Sequence, residues 1–150
     1  MLLGEILIQK KLITPEQLEE ALKIQAETRE FLGAILIEKR FIREDDLLRA
    51  LSEQFQIPIV KFQDYYIDWE AAMRFSSSVV CEFRCLPVRA DERSITVAIT
   101  NPLDAIAISK VEEEARDYRV KLILVSNGDM DEALKTYNRH ASQRIRKMLE

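Results

Sequence analysis

Residues 2 to 54 are one helical unit written twice, and this duplication constrains the fold more than any other feature of the chain. Residues 2–25, LLGEILIQKKLITPEQLEEALKIQ, return as residues 31–54, FLGAILIEKRFIREDDLLRALSEQ, after a five-residue gap. Eleven of the 24 aligned positions are identical: Leu3, Gly4, Ile6, Leu7, Ile8, Lys10, Ile13, Leu18, Ala21, Leu22 and Gln25 each recur 29 positions later.

Each copy has a short apolar segment, a turn, and a longer amphipathic helix. In copy one Leu18, Ala21, Leu22 and Gln25 fall at i, i+3, i+4 and i+7, which makes one stripe on a helix. Thr14 suits the N-cap, Pro15 the first helical position, and Gln17 the return side chain of a capping box. In copy two Glu44, Asp45 and Asp46 crowd the first turn, where the helix dipole favours negative charge. The short helices, near 3–10 and 32–39, cannot stand alone in water. The two copies must therefore bury against each other, and a compact four-helix unit is expected rather than a repeat array. Two of the three glycines, Gly4 and Gly33, occupy the same repeat position; Gly128 is the third. Glycine costs about 1 kcal/mol in a helix relative to alanine. Its return implies a use for the missing side chain, either close helix packing or the approach of a ligand to the backbone.

Beyond Gln54 the pattern changes. Residues 55–66, with Pro58 and the aromatics Phe62, Tyr65 and Tyr66, read as a connector. Short helices are predicted at 69–74 and 77–83, then strands at 85–89 and 94–100 separated by a hairpin turn. A helix over 103–116, a strand over 120–125, a break at Asn127, Gly128 and Asp129, and a last helix from 130 complete a β-β-α-β-α order. The fold class is thus α+β: a four-helix tandem-repeat unit, then a small α/β sandwich, a three-stranded sheet with helices on one face. The expected divisions are 1–55 for the helical unit, 56–67 for the connector, 68–138 for the α/β unit, and 139–150 for a helix extension or linker.

Composition narrows the function. The chain is 150 residues long and 47% hydrophobic, enough for a proper core, and its net charge of −4 argues against general nucleic-acid binding. No apolar run reaches the length of a membrane span and no signal-peptide layout opens the chain, so a cytoplasmic location without direct membrane insertion is expected. Cys81, Cys85 and His140 are the whole soft-ligand inventory. That is too few for a structural zinc site, so no metal is expected; the thiols read as free and buried, and His140 as solvated. Three scattered glycines cannot make a P-loop. No catalytic constellation is present, and the chain reads as no enzyme.

The leucine-glycine start, the leucines at motif positions 17 and 21, the glutamine at 24, and the second copy after five residues resemble a known domain. It looks like the N-terminal domain of the type II secretion and type IV pilus assembly ATPases, in the form whose tandem 24-residue motifs bind cyclic di-GMP in some members. The matching residues are Leu3, Gly4, Leu18, Leu22 and Gln25 in copy one, and Leu32, Gly33, Leu47, Leu51 and Gln54 in copy two. The passage VAITNPLD at 97–104 matches the family's entry into its α/β subdomain, so the resemblance spans about residues 2–138. It implies a non-catalytic regulatory or docking domain that contacts an inner-membrane platform protein, with the ATPase engine C-terminal on a longer parent chain and the whole peripheral to the membrane through partners. The alternatives it carries are a cyclic di-GMP sensor that uses the ten residues above, and an accessory domain of a glycosyltransferase or signalling protein. No other cofactor is implied. Binding members open each motif with arginine, and here those positions hold Leu2 and Phe31; Lys11, Arg29 and Arg40 are cations near the motif ends.

Overall fold

The computed structural model describes residues 2–149. Met1 and Glu150, the outer ends of the first and last segments expected above, lie outside the described residues. Two compact units divide the chain, residues 1–56 and 57–150.

The first unit holds α1 (Leu3–Gln9), α2 (Pro15–Thr28), α3 (Leu32–Glu38) and α4 (Glu44–Phe55). Helix α1 packs on α4 and α2 on α3, so each short helix lies against the long helix of the other copy. Leu7, Ala21, Ile35, Leu36, Ala50 and Leu51 form the buried centre. The capping box forms as the sequence predicts: the Gln17 amide donates to Thr14 Oγ1 at 3.1 Å, and the Thr14 amide to Gln17 Oε1 at 2.9 Å. Helix α4 starts at Arg43 with no side-chain cap and carries its three acids in the first turn. The short helices end alike. In α1 the Leu12 amide reaches back to the Leu7 carbonyl and Lys11 to Ile8; in α3 Phe41 reaches Leu36 and Arg40 reaches Ile37. This is the Schellman closure, and its left-handed residue, usually glycine, is Lys11 or Arg40, each at φ 60°. A left-handed residue with a side chain costs about 1 kcal/mol, and a cation beside the free carbonyls of a helix C-terminus offsets part of that.

The second unit contains α5 (Trp69–Ala72), α6 (Ser77–Glu82), β1 (Leu86–Ala90), β2 (Ser94–Ile99), α7 (Ala105–Ala115), β3 (Arg119–Leu124) and α8 (Asn127–Leu149). The sheet order is β1-β2-β3, antiparallel between the first two and parallel between the last two. Asp91 clamps the hairpin, accepting from the amides of Arg93 at 2.8 Å and Ser94 at 2.7 Å and from the Ser94 hydroxyl at 3.0 Å. The Arg93 amide, then the Ser94 amide, hold its carboxyl below the usual range. In the passage after β2, the Leu103 amide donates to Asn101 Oδ1 and the Ala107 amide to Asp104 Oδ1. Asn101 thus makes the turn and Asp104 caps α7, which explains that run of residue types.

Four details differ from the sequence reading. Residues 57 to 60 lie beside β3: the Leu124 amide donates to the Pro58 carbonyl at 2.8 Å and Val60 to the Leu124 carbonyl at 2.9 Å. Helix α8 begins at Asn127, because Ser126 caps it by accepting the Asp129 amide at 3.1 Å; the Asn-Gly-Asp run is its first turn and not a break. Successive residues Val97, Ala98 and Ile99 are all buried, so that end of β2 is covered on both faces, whereas Ser94 and Thr96 at its start stay partly open. His140 is not simply solvated; its ring stacks on Trp69 with centroids 4.9 Å apart, joining α8 to α5.

The cysteines divide as well. Cys85 is buried, and burial pushes its thiol up to about 12, while Cys81 is exposed, contrary to the expectation that both are buried. At mild alkaline pH a thiol reagent is therefore expected to label one cysteine in the native chain, Cys81, and both after unfolding. Equal native reaction rates for the two thiols would contradict the burial of Cys85.

Candidate functional site in the tandem motifs

The motif glycines have a direct steric explanation. A Cβ placed on Gly4 would stand 2.8 Å from Leu18 Cδ1, and one on Gly33 would stand 2.7 Å from Leu47 Cδ2. Each short helix is thus pressed against a leucine of its own copy, so closely that an added Cβ would require the leucine side chain to shift. Neither glycine has a positive φ, so backbone freedom is not the reason for its presence. Of the two uses the sequence leaves open, close packing accounts for the residue by itself.

The ten candidate residues are not placed equally. Leu3, Gly4, Gly33, Leu47 and Leu51 are buried, and Leu18, Gln25, Leu32 and Gln54 are half-buried. Leu22 is 45% exposed where its repeat mate Leu51 is 3% exposed. Both copies contribute to the interior, and the asymmetry is local: Leu22 is open where Leu51 is enclosed, whereas Leu3 is buried where Leu32 is half-buried. Gln25 donates from Nε2 to the Glu30 carbonyl at 3.1 Å, so its amide holds the loop that leads into copy two. The motif-opening residues sit at the extended N-cap positions of α1 and α3, without side-chain caps, and both are open to solvent: Leu2 is 74% exposed and Phe31 46%. Lys11, Arg29 and Arg40 are exposed and share the left-handed conformation at φ 60°, 61° and 60°, each just past the end of a helix.

Lys10 and Lys39, equivalent positions of the repeat, also tie the copies together. Lys10 pairs with Glu53, and Lys39 lies 3.8 Å from Glu20, so each lysine reaches a carboxylate of the other copy. Their identity across the repeat was the available signal. These pairs are solvent-exposed and contribute at most about 1 kcal/mol each.

A model of the MshEN domain family matches residues 55–144, more than half of the chain. The chain belongs to the MshEN domain family. This MshEN domain is similar to the type IV pilus assembly ATPase PilB of Myxococcus xanthus, 24% identical over 135 residues, and to PilB of Thermus thermophilus, 26% identical over 113 residues. Those matches take in 90% and 74% of the chain but only 24% and 13% of the relatives, so the chain spans a quarter of their length or less. Among solved structures it matches MshE with cyclic di-GMP (cdg) at TM-score 0.84 and 23% identity, covering 91% of this chain and 99% of that one. It matches the N-terminal domain of XpsE at TM-score 0.71 and 18% identity, covering 89% and 91%. These likenesses establish the fold, and not a shared ligand. Among the described residues no helix of this MshEN domain is long and apolar enough to cross a membrane.

The two glycines of the domain should differ in tolerance. Alanine recovers about 1 kcal/mol of helix propensity at either site, against about 1–3 kcal/mol for overpacking. Leu18 is half-buried and free to swing aside, whereas Leu47 is enclosed. Gly4→Ala is expected to leave stability nearly unchanged, and Gly33→Ala to lower it by about 1–2 kcal/mol in urea melts. A larger loss at Gly4 than at Gly33 would refute the packing account.

Proposed function

We propose that this MshEN domain is a non-catalytic regulatory and docking domain of a pilus or secretion ATPase, and that the open side of its tandem-motif unit contacts an inner-membrane platform protein. The observation that carries this reading is the exposure of Leu2 and Phe31. Where binding members of the family place arginine, this chain presents two apolar side chains to solvent at matching positions of the repeat. Arginine can pair a phosphate bidentately; leucine and phenylalanine cannot, but each can be buried by a protein partner. The ATPase engine would lie on the longer chain, and the location would be peripheral to the inner membrane through that contact.

A second reading has its own support. MshE, solved with cyclic di-GMP, shares the fold across nearly its whole compared chain. On that reading Leu3, Gly4, Leu18, Leu22 and Gln25 with Leu32, Gly33, Leu47, Leu51 and Gln54 would hold the ligand, and cyclic di-GMP would be the only small molecule bound.

Calorimetry with cyclic di-GMP separates the two. The docking reading expects no saturable heat from the wild-type chain up to about 1 mM ligand, and micromolar binding, about 8 kcal/mol, in the Leu2→Arg/Phe31→Arg variant. Micromolar binding by the wild type would establish the sensor instead. In parallel, Leu2→Asp/Phe31→Asp in the full-length ATPase is expected to weaken capture of the platform protein's cytoplasmic region about tenfold or more; unchanged capture would remove the motif face from the docking reading.

A further inference from the structure

The sheet of the second unit carries a group of cations that, among the described residues, make no ion pair. Arg89 of β1 registers with Thr96 of β2, and Thr96 with Lys121 of β3, so these three side chains stand in a row across one face about 4.8 Å apart. Two residues back along the strands, Ser94 registers with Arg119 on the same face. The row lines an open groove of about 630 Å³ together with Tyr65. Through Asp91, Ser94 and Lys121 the groove continues into a second hollow of about 610 Å³ bounded by Arg93 and Arg119.

The positive charge here is only partly offset within the fold, Lys121 acting on the neighbouring Asp91 carboxylate. Among the described residues Arg89, Arg93, Arg119 and Lys121 make no ion pair. The Arg89 guanidinium is held 4.9 Å from the centre of the Tyr65 ring, which orders it in advance. Asp91, one of two acids on the rim, already spends its oxygens on the hairpin amides and the Ser94 hydroxyl. On a chain of net charge −4 this face is a local excess of positive charge.

We propose that this groove docks a short acidic segment of a partner protein in extended form, with Arg89 and Lys121 pairing one carboxylate and Arg119 the next. The spacing supports an extended occupant. Same-side residues of an extended peptide repeat about every 6.6 Å, which is also the separation of the two rows on the sheet. A long phosphate backbone fits less well, since Asp91 stands where the two hollows meet, Glu92 borders the second, and the chain as a whole repels a polyanion. The proposal rests on the docking reading but not on its motif face, so it can fail while the Leu2 and Phe31 results stand, and the reverse.

The test is an amide-shift titration of the whole chain with an acetylated octapeptide of alternating glutamate and serine. Saturable shifts centred on Arg89, Thr96, Arg119 and Lys121 are expected, with Kd below about 1 mM. Arg89→Ala/Lys121→Ala is expected to weaken binding about tenfold, and raised salt should weaken it further. No shifts at millimolar peptide, or unchanged affinity in the double variant, would overturn the site; so would shifts spread equally onto Arg144 and Arg146. Should the double variant not fold, the wild-type shift map decides alone. Vesicles of phosphatidylglycerol that perturb these amides where the octapeptide does not would replace the acidic segment with a lipid surface and overturn the proposal.

Discussion

The contact between a glycine and a leucine of the same copy, made once in each repeat, sets the geometry of the whole helical unit. A seven-residue helix is far below the length at which hydrogen bonding along the backbone sustains itself. Helices α1 and α3 exist because they are pinned, each by a leucine pressed to its own backbone and by the long helix of the other copy on another side. Neither copy can satisfy both requirements alone. The duplication is therefore a folding requirement before it is anything else, and its eleven identities fall largely on the residues that meet across or within these contacts.

Equal sequence does not give equal burial. Ile35 is 2% exposed while Ile6 is only half-buried, and Leu51 is enclosed while Leu22 is open. The copies differ in what flanks them and in helix length, α2 having 14 residues and α4 having 12. Both copies supply core residues, but equivalent positions such as Leu22 and Leu51 differ in how far they are covered.

Much of this was legible because local chemistry and tertiary structure agree. Thr14, Pro15 and Gln17 mark a helix start that no neighbour needs to rescue, and Asn101 with Asp104 marks another. The glycine partners were also within reach, since Leu18 and Leu47 stood in the same set of identities, but choosing packing over a ligand needed the 2.7–2.8 Å distances. What could not be read depended on residues far apart in sequence. The strip 57–60 meets Leu124, and His140 meets Trp69, through contacts that leave no periodic trace. The start of α8 was obscured for a different reason. Asn-Gly-Asp is ordinarily a turn signal, and Ser126 outweighs it by capping a first turn made of those residues.

Exchanging arginine for leucine and phenylalanine at the motif openings changes the kind of partner more than the strength available. A charge-assisted hydrogen bond to a phosphate is worth about 1.5–3 kcal/mol net. Burying a leucine or phenylalanine from an exposed position gives about 1.5–3 kcal/mol by loss of apolar surface from water. On the proposed reading both motif starts offer interaction energy to an apolar partner rather than to an anion. Both side chains sit at N-cap positions and are exposed, Leu2 more than Phe31, and neither is consumed by capping. On the proposed reading an apolar partner surface is the ligand class to which that energy is available, and the repeat itself is held by the glycine-leucine contacts that packing alone requires.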